Sequence, residues 1–129
     1  NRDGYSQIAY CFAEKQGFSK FGTYTGNGNT DGPFVYTGFK PAFINIKRAS
    51  ENWHVWDSAR NPSNPATKWI ASSTSAAEYT SAADIDILSN GFKVRNTQAV
   101  TNSSTVDYIY LAFAENPFVT STGIPTTAR

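Results

Sequence analysis

The sequence predicts an all-β domain, an antiparallel β-sandwich of the jelly-roll or concanavalin-like kind with short strands, and three observations carry that reading. Wherever apolar periodicity can be read its period is two residues, and no window shows a stripe at i, i+3, i+4, i+7 between helix caps. Turn dipeptides punctuate the chain at Asn27-Gly28, Asp31-Gly32-Pro33, Asn61-Pro62, Asn64-Pro65 and Asn90-Gly91, each with a backbone reason for turning. Finally, 40% of residues are apolar and 15% aromatic, but only 16% are charged, against a usual ~25%. Ser, Thr, Asn and Gly take the place of the missing charge. A length of 129 residues suits one domain with a single core and excludes a multidomain enzyme.

Taken in order, strands are expected at residues 6–13, 20–25 and 34–37. Residues 42–48 alternate Ile44 and Ile46 with Asn45 and Lys47, the pattern of a strand with one wet face. Residues 53–57 follow a turn at Ser50-Glu51-Asn52, which makes a hairpin with the preceding strand. Residues 67–71 form a further strand, and 72–83, small and polar, read as a loop. Residues 85–88 and 92–95 flank Asn90-Gly91, the strongest hairpin signal in the chain. The clearest strand is 106–115. Ile109, Leu111 and Phe113 fall on one face and Tyr108, Tyr110, Ala112 and Ala114 on the other, so both faces are apolar and the strand belongs in the middle of a sheet.

Eleven Lys and Arg balance ten Asp and Glu, with no run of like charge. That excludes a broad phosphate-binding field, so nucleic acid is not expected as a partner. No apolar stretch reaches the ~18 residues of a membrane span, and no membrane insertion is expected. Cys11 and His54 are the only residues of their types, too few for an internal disulfide or a thiolate–imidazole zinc site.

An internal repeat is the most informative feature. Ile8-Ala-Tyr-Cys-Phe-Ala-Glu14 aligns with Ile109-Tyr-Leu-Ala-Phe-Ala-Glu115, and each copy is followed by a short polar link and a phenylalanine, Phe18 or Phe118. Spacing near one hundred residues suits tandem domains, not solenoid units. The expected division is residues 1–18 as the terminal strand of a preceding repeat or an added strand, 19–118 as one repeat, and 119–129 as a C-terminal extension. The lack of methionine and the start at Asn1 fit a piece of a longer polypeptide.

The blocks Cys-Phe-Ala-Glu (11–14), Gly-Phe-Ser-Lys-Phe-Gly-Thr-Tyr-Thr-Gly-Asn-Gly (17–28) and Asp-Gly-Pro-Phe-Val-Tyr-Thr-Gly-Phe-Lys-Pro-Ala-Phe (31–43) are followed by Leu-Ser-Asn-Gly-Phe-Lys (88–93), Tyr-Leu-Ala-Phe-Ala-Glu-Asn-Pro-Phe (110–118) and Gly-Ile-Pro-Thr-Thr-Ala-Arg (123–129). Together they resemble the C-terminal repeat regions of bacteriophage virion proteins, tail-fibre or adhesin-like, of the marine-phage type. The resemblance implies a virion-surface location, on a tail fibre or the capsid exterior. It implies assembly with other copies, as a trimer on a fibre, and with other virion subunits. It carries no catalytic or ligand motif onto particular residues.

Four constellations could carry chemistry. Asn27, Asn29 and Asp31 with Gly32 copy the first half of a calcium loop, but Gly38 stands where the bidentate carboxylate is required, which leaves a plain Asn/Gly turn and no metal site. Asp84 and Asp86 share a strand face and read as water-facing edge residues opposite Ile85 and Ile87. His54 lies beside Trp53 and Trp56, but no Gly-x-Ser-x-Gly elbow accompanies it, so no catalytic residue, no cofactor and no enzyme activity is expected. Trp53, His54, Trp56, Asp57, Arg60 and Asn61 form the expected ligand site. An aromatic face stacks on a sugar while Asn, Asp and Arg bond its hydroxyls. Alternation sends Trp53 and Trp56 to opposite faces. The expected function is attachment of a phage fibre or adhesin to a host-surface glycan. The alternatives are a spacer, oligomerisation or capsid-decoration module, or a polysaccharide-degrading domain.

Overall fold

The computed structural model describes residues 3–4 and 6–116; the expected link to Phe118 and the extension 119–129 lie outside them. Among the described residues eight strands form one antiparallel sheet: β1 (Ser19–Thr25), β2 (Phe34–Tyr36), β3 (Pro41–Lys47), β4 (His54–Asp57), β5 (Ala66–Ala71), β6 (Tyr79–Leu88), β7 (Gly91–Val94) and β8 (Asp107–Ala114). Their order is β1-β8-β3-β4-β5-β6-β7-β2, and the sheet curls until it nearly closes into a barrel. The expectation of an all-β antiparallel fold is met, by a continuous sheet that turns back on itself at β5. That strand pairs with β4 through Ile70 and Ala71 and with β6 through Ala66, Lys68 and Trp69.

The alternation of β3 sets the first hairpin. Ile44 and Ile46 are buried and face Trp56 and His54 of β4, while Asn45 and Lys47 point outward. An Arg48–Glu51 ion pair at 2.6 Å closes the turn between them. β8 is central, bonded on one edge to β1 (Gly22 opposite Tyr110) and on the other to β3 (Ile46 opposite Tyr110). Its tyrosine face is the inner one: Tyr108, Tyr110 and Ala112 are buried, and Ile109 is exposed. Tyr24 stacks on Tyr108 at 5.1 Å, and Phe92 meets Tyr24 and Tyr110 edge-on across the core.

Three features depart from the sequence expectations. Residues 6–13, read as a strand, join no ladder of the sheet. The turn at Asn90-Gly91 sits one residue earlier. Leu88 pairs with Gly91, so Ser89 and Asn90 make the connection. Gly91 is inside β7 because a Cβ there would collide with the Val35 carbonyl oxygen. The third departure is β6, which begins at Tyr79, inside the expected loop. Lys68 faces Thr80 but Ala66 faces Ile85, so β6 passes five residues while β5 passes two. That irregularity breaks the alternation and turns Asp84 inward, fully buried, instead of toward water.

Candidate functional site

The expected site residues separate into three places. Trp56 is completely buried, with its indole Nε1 donating to Asp84 Oδ2 at 3.4 Å. Its ring packs 5.9 Å from that of Trp69, so no face is available for stacking on a ligand. His54 is also buried, edge-on to Trp69 at 4.8 Å, and its Nδ1 has no hydrogen-bond partner. The histidine expected in the ligand site is therefore a core residue. Burial pushes its imidazole below its usual range, against an opposing pull from Glu51.

Asp57, Arg60 and Asn61 do come together, and they hold the 58–66 loop. Asp57 Oδ1 accepts from the Arg60 amide at 2.7 Å. The Arg60 side chain reaches Glu78 at 2.8 Å. Asn61 donates to the carbonyls of Asp57 and Lys68 and accepts from the amides of Thr67 and Lys68. A side-chain amide has about four hydrogen-bonding positions, and here they are engaged with the backbone. Asn64 bonds the Ile87 amide and carbonyl in the same way. These polar groups build the loop, and Asn61 and Asn64 also line a shallow cavity of about 230 Å³ with Lys40, Ile87 and Glu115.

Trp53 stands apart, half-buried on the outer face of the sheet. It lines a cavity of about 420 Å³ with Tyr10, Phe12, Asn45, Ser72 and Leu111. Lys47 Nζ lies 5.8 Å from the Trp53 ring centroid, a cation–π distance. Asn45 Oδ1 is buried in this neighbourhood without a hydrogen-bond partner. Such an atom forgoes ~1–3 kcal/mol of desolvation free energy until something donates to it. The groove thus presents an aromatic surface and the polar residues Asn45 and Ser72, with the Asn45 carbonyl oxygen buried beneath it. Its floor (Asn45, Trp53, Ser72 and Leu111) belongs to the sheet and its connections, whereas Tyr10 and Phe12 form a wall contributed by the N-terminal segment.

A family model described as Domain of unknown function (DUF7483) matches residues 1–117. The chain belongs to that family. No curated protein and no solved structure matches it. The matched span takes in residues 6–14 together with all eight strands.

Asp84 anchors a buried polar network. It accepts from Ser81 Oγ and, at 2.6 Å, from Asn96 Nδ2, besides Trp56. Asn96 Oδ1 in turn accepts from Thr101, and Asn102 bonds Asn96, Asn27 and Asn29. Burial pushes the Asp84 carboxyl up, and the donors pull it partly back. Asp86, by contrast, remains half-buried beside Arg95 at 3.5 Å. Asn27 and Asn29 spend their side-chain oxygens on the amides of Asn29 and Asp31. Asp31 pairs with Lys93 at 2.6 Å, which holds its carboxyl below the usual range. These Asx turns account for the half-motif without a cation.

The sequence reading missed Asn45 although the signal was present. Once Ile44, Ile46 and Trp56 are assigned inward, the same alternation puts Asn45 on the outer face of β3 and Trp53, immediately before β4, on the same side.

Proposed function

We propose that this domain is a virion-surface module of a phage fibre or adhesin, and that it attaches to a host-surface glycan through the groove beside Trp53. The single observation that carries the glycan reading is the groove itself, in which Trp53, Tyr10 and Phe12 supply aromatic surface beside the polar Asn45 and Ser72. The C–H face of a sugar ring packs on the aromatic surface while its hydroxyls bond the polar side chains at the groove. The similarity of the sequence blocks to phage virion repeats supports the location. A glycan array, followed by titration of any hit, tests the reading. Trp53→Ala and Asn45→Ala are each expected to weaken binding roughly tenfold, the equivalent of ~1.4 kcal/mol, and Arg60→Ala to leave it unchanged. Equal affinity for all of these variants would overturn it.

The second reading, association with other subunits, draws support from the exposed apolar row of Ile8, Tyr10 and Phe12. Patches of that kind mark interfaces. The mass of the chain in solution decides it, with a concentration-independent monomer as the result against it.

A further inference from the structure

Residues 6–14 carry a strand sequence without a sheet. Ile8, Tyr10 and Phe12 are 82%, 80% and 59% exposed, and the segment joins none of the ladders. Unburied apolar surface is unfavourable by ~25 cal/mol per Å², and an unpaired strand edge is a template for pairing. In β8 the inward residues are Tyr108, Tyr110 and Ala112, and the outward ones Ile109, Leu111 and Phe113. Shifted by the repeat spacing, the inward positions become Gln7, Ala9 and Cys11 and the outward ones Ile8, Tyr10 and Phe12. The outward row stays apolar and the small Ala112 position stays small.

We propose that residues 6–14 are the last strand of a neighbouring module of this same fold, inserted between that module's equivalents of β1 and β3. This goes beyond both readings of function: it concerns a neighbouring module and not self-association of the chain, and it draws on the same Tyr10 and Phe12 that line the Trp53 groove. The chain then crosses to β1 of the present domain through residues 15–18, which span at most ~14 Å. Two such modules are spliced at a fixed spacing instead of strung on a loose linker. Phe12 already packs against Phe21 and Phe113, with centroids 6.0 and 5.9 Å away. That contact uses the ring, and of the backbone the Ala13 carbonyl accepts from Ser19 Oγ at 2.9 Å.

Two positions define the partner module. In this domain the Tyr108 hydroxyl accepts from the Ser103 amide at 2.8 Å and donates to the Ala99 carbonyl at 2.7 Å. Tyr110 lies over Gly22, where a Cβ would come within 3.1 Å of its ring. Gln7 and Ala9 would leave both spaces underfilled, and β8 already occupies the slot. The partner is therefore not a second copy of this chain but a module with a large side chain at the position equivalent to Gly22.

A two-module chain tests this. Val106 of a leading copy is followed directly by residues 6–129 of a second, so that residues 6–14 stand where β8 would. The leading copy carries Cys11→Ser, which leaves the second copy's Cys11 as the only thiol, and the second copy carries Gln7→Tyr. One version adds Ala9→Tyr; the other keeps Ala9 and places Gly22→Phe in the leading copy. Relative to the unmodified chain, alkylation of Cys11 is expected to slow about a hundredfold in the first version and at least about tenfold in the second, as for a thiol reached only by local unfolding. Reaction at the single-chain rate in either version would overturn strand insertion. If that chain still associated, the association reading would stand.

Discussion

Residues 107–114 and 6–14 are close in sequence and opposite in surroundings. The first lies in the middle of the sheet, bonded on both edges, with its tyrosines in the core. The second runs exposed along the outer face, tied down by Phe12 and by Glu14, which bonds Lys20 at 2.9 Å and the Phe21 amide at 3.1 Å. Strand propensity is the same in both, so the difference comes from what surrounds them. β8 is preceded by the 95–106 loop, which Asn96, Thr101 and Asn102 fasten to Asp84 and Asn27. Its two tyrosines also match spaces cut for them at Gly22 and Ala99.

Substitutions at matched places sharpen the contrast. Tyr108→Ala should cost ~3–5 kcal/mol, as for a large buried aromatic; a loss below 1 kcal/mol in denaturant unfolding would remove the tyrosines from the account. Asn102→Ala comes next at ~2–3 kcal/mol, because it leaves several buried partners unbonded. Thermal and denaturant midpoints should both fall.

A smaller effect depends on pH. The folded-state pKa of Asp84 is raised by burial, so its contribution to stability is fully present below the unfolded carboxylate range of ~3.9 and is lost as pH rises through the raised folded value. His54, lowered by burial, acts in the opposite sense, because acidification below ~6.5 charges the unfolded state first. Unfolding free energies of the native chain and Asp84→Asn, compared across pH, cancel the histidine. Their difference should shift in favour of the variant as pH rises, and parallel profiles would contradict the burial of a carboxyl that can ionise. The smallest effect belongs to the N-terminal segment. Tyr10→Ala should change stability by less than ~0.5 kcal/mol, and a large loss would mean that this segment is part of the core.

Much of the architecture was legible because period-two alternation reports which face is buried. The pairing of β3 with β4, the central place of β8 and the opposite fates of Trp53 and Trp56 all follow from it. The same rule failed at Asp84, because alternation holds only where two strands advance in step, and β6 does not keep step with β5. It placed the 90–91 turn one residue late, because Gly91 serves a close approach to β2 instead of a positive φ. Asn61 and Arg60 looked like ligand groups because composition cannot distinguish a side chain that bonds its own loop from one that waits for a sugar. Residues 6–14 are the instructive failure. Their pattern is that of a strand, and no strand pattern states which sheet will receive it.

Amide hydrogen exchange on the intact chain, resolved at residues 7–13 and 108–114, tests the contrast most directly. The account predicts that the β8 amides exchange only through global unfolding, whereas those of the N-terminal segment exchange near the rate of an unstructured peptide. Equal protection of the two segments would contradict it.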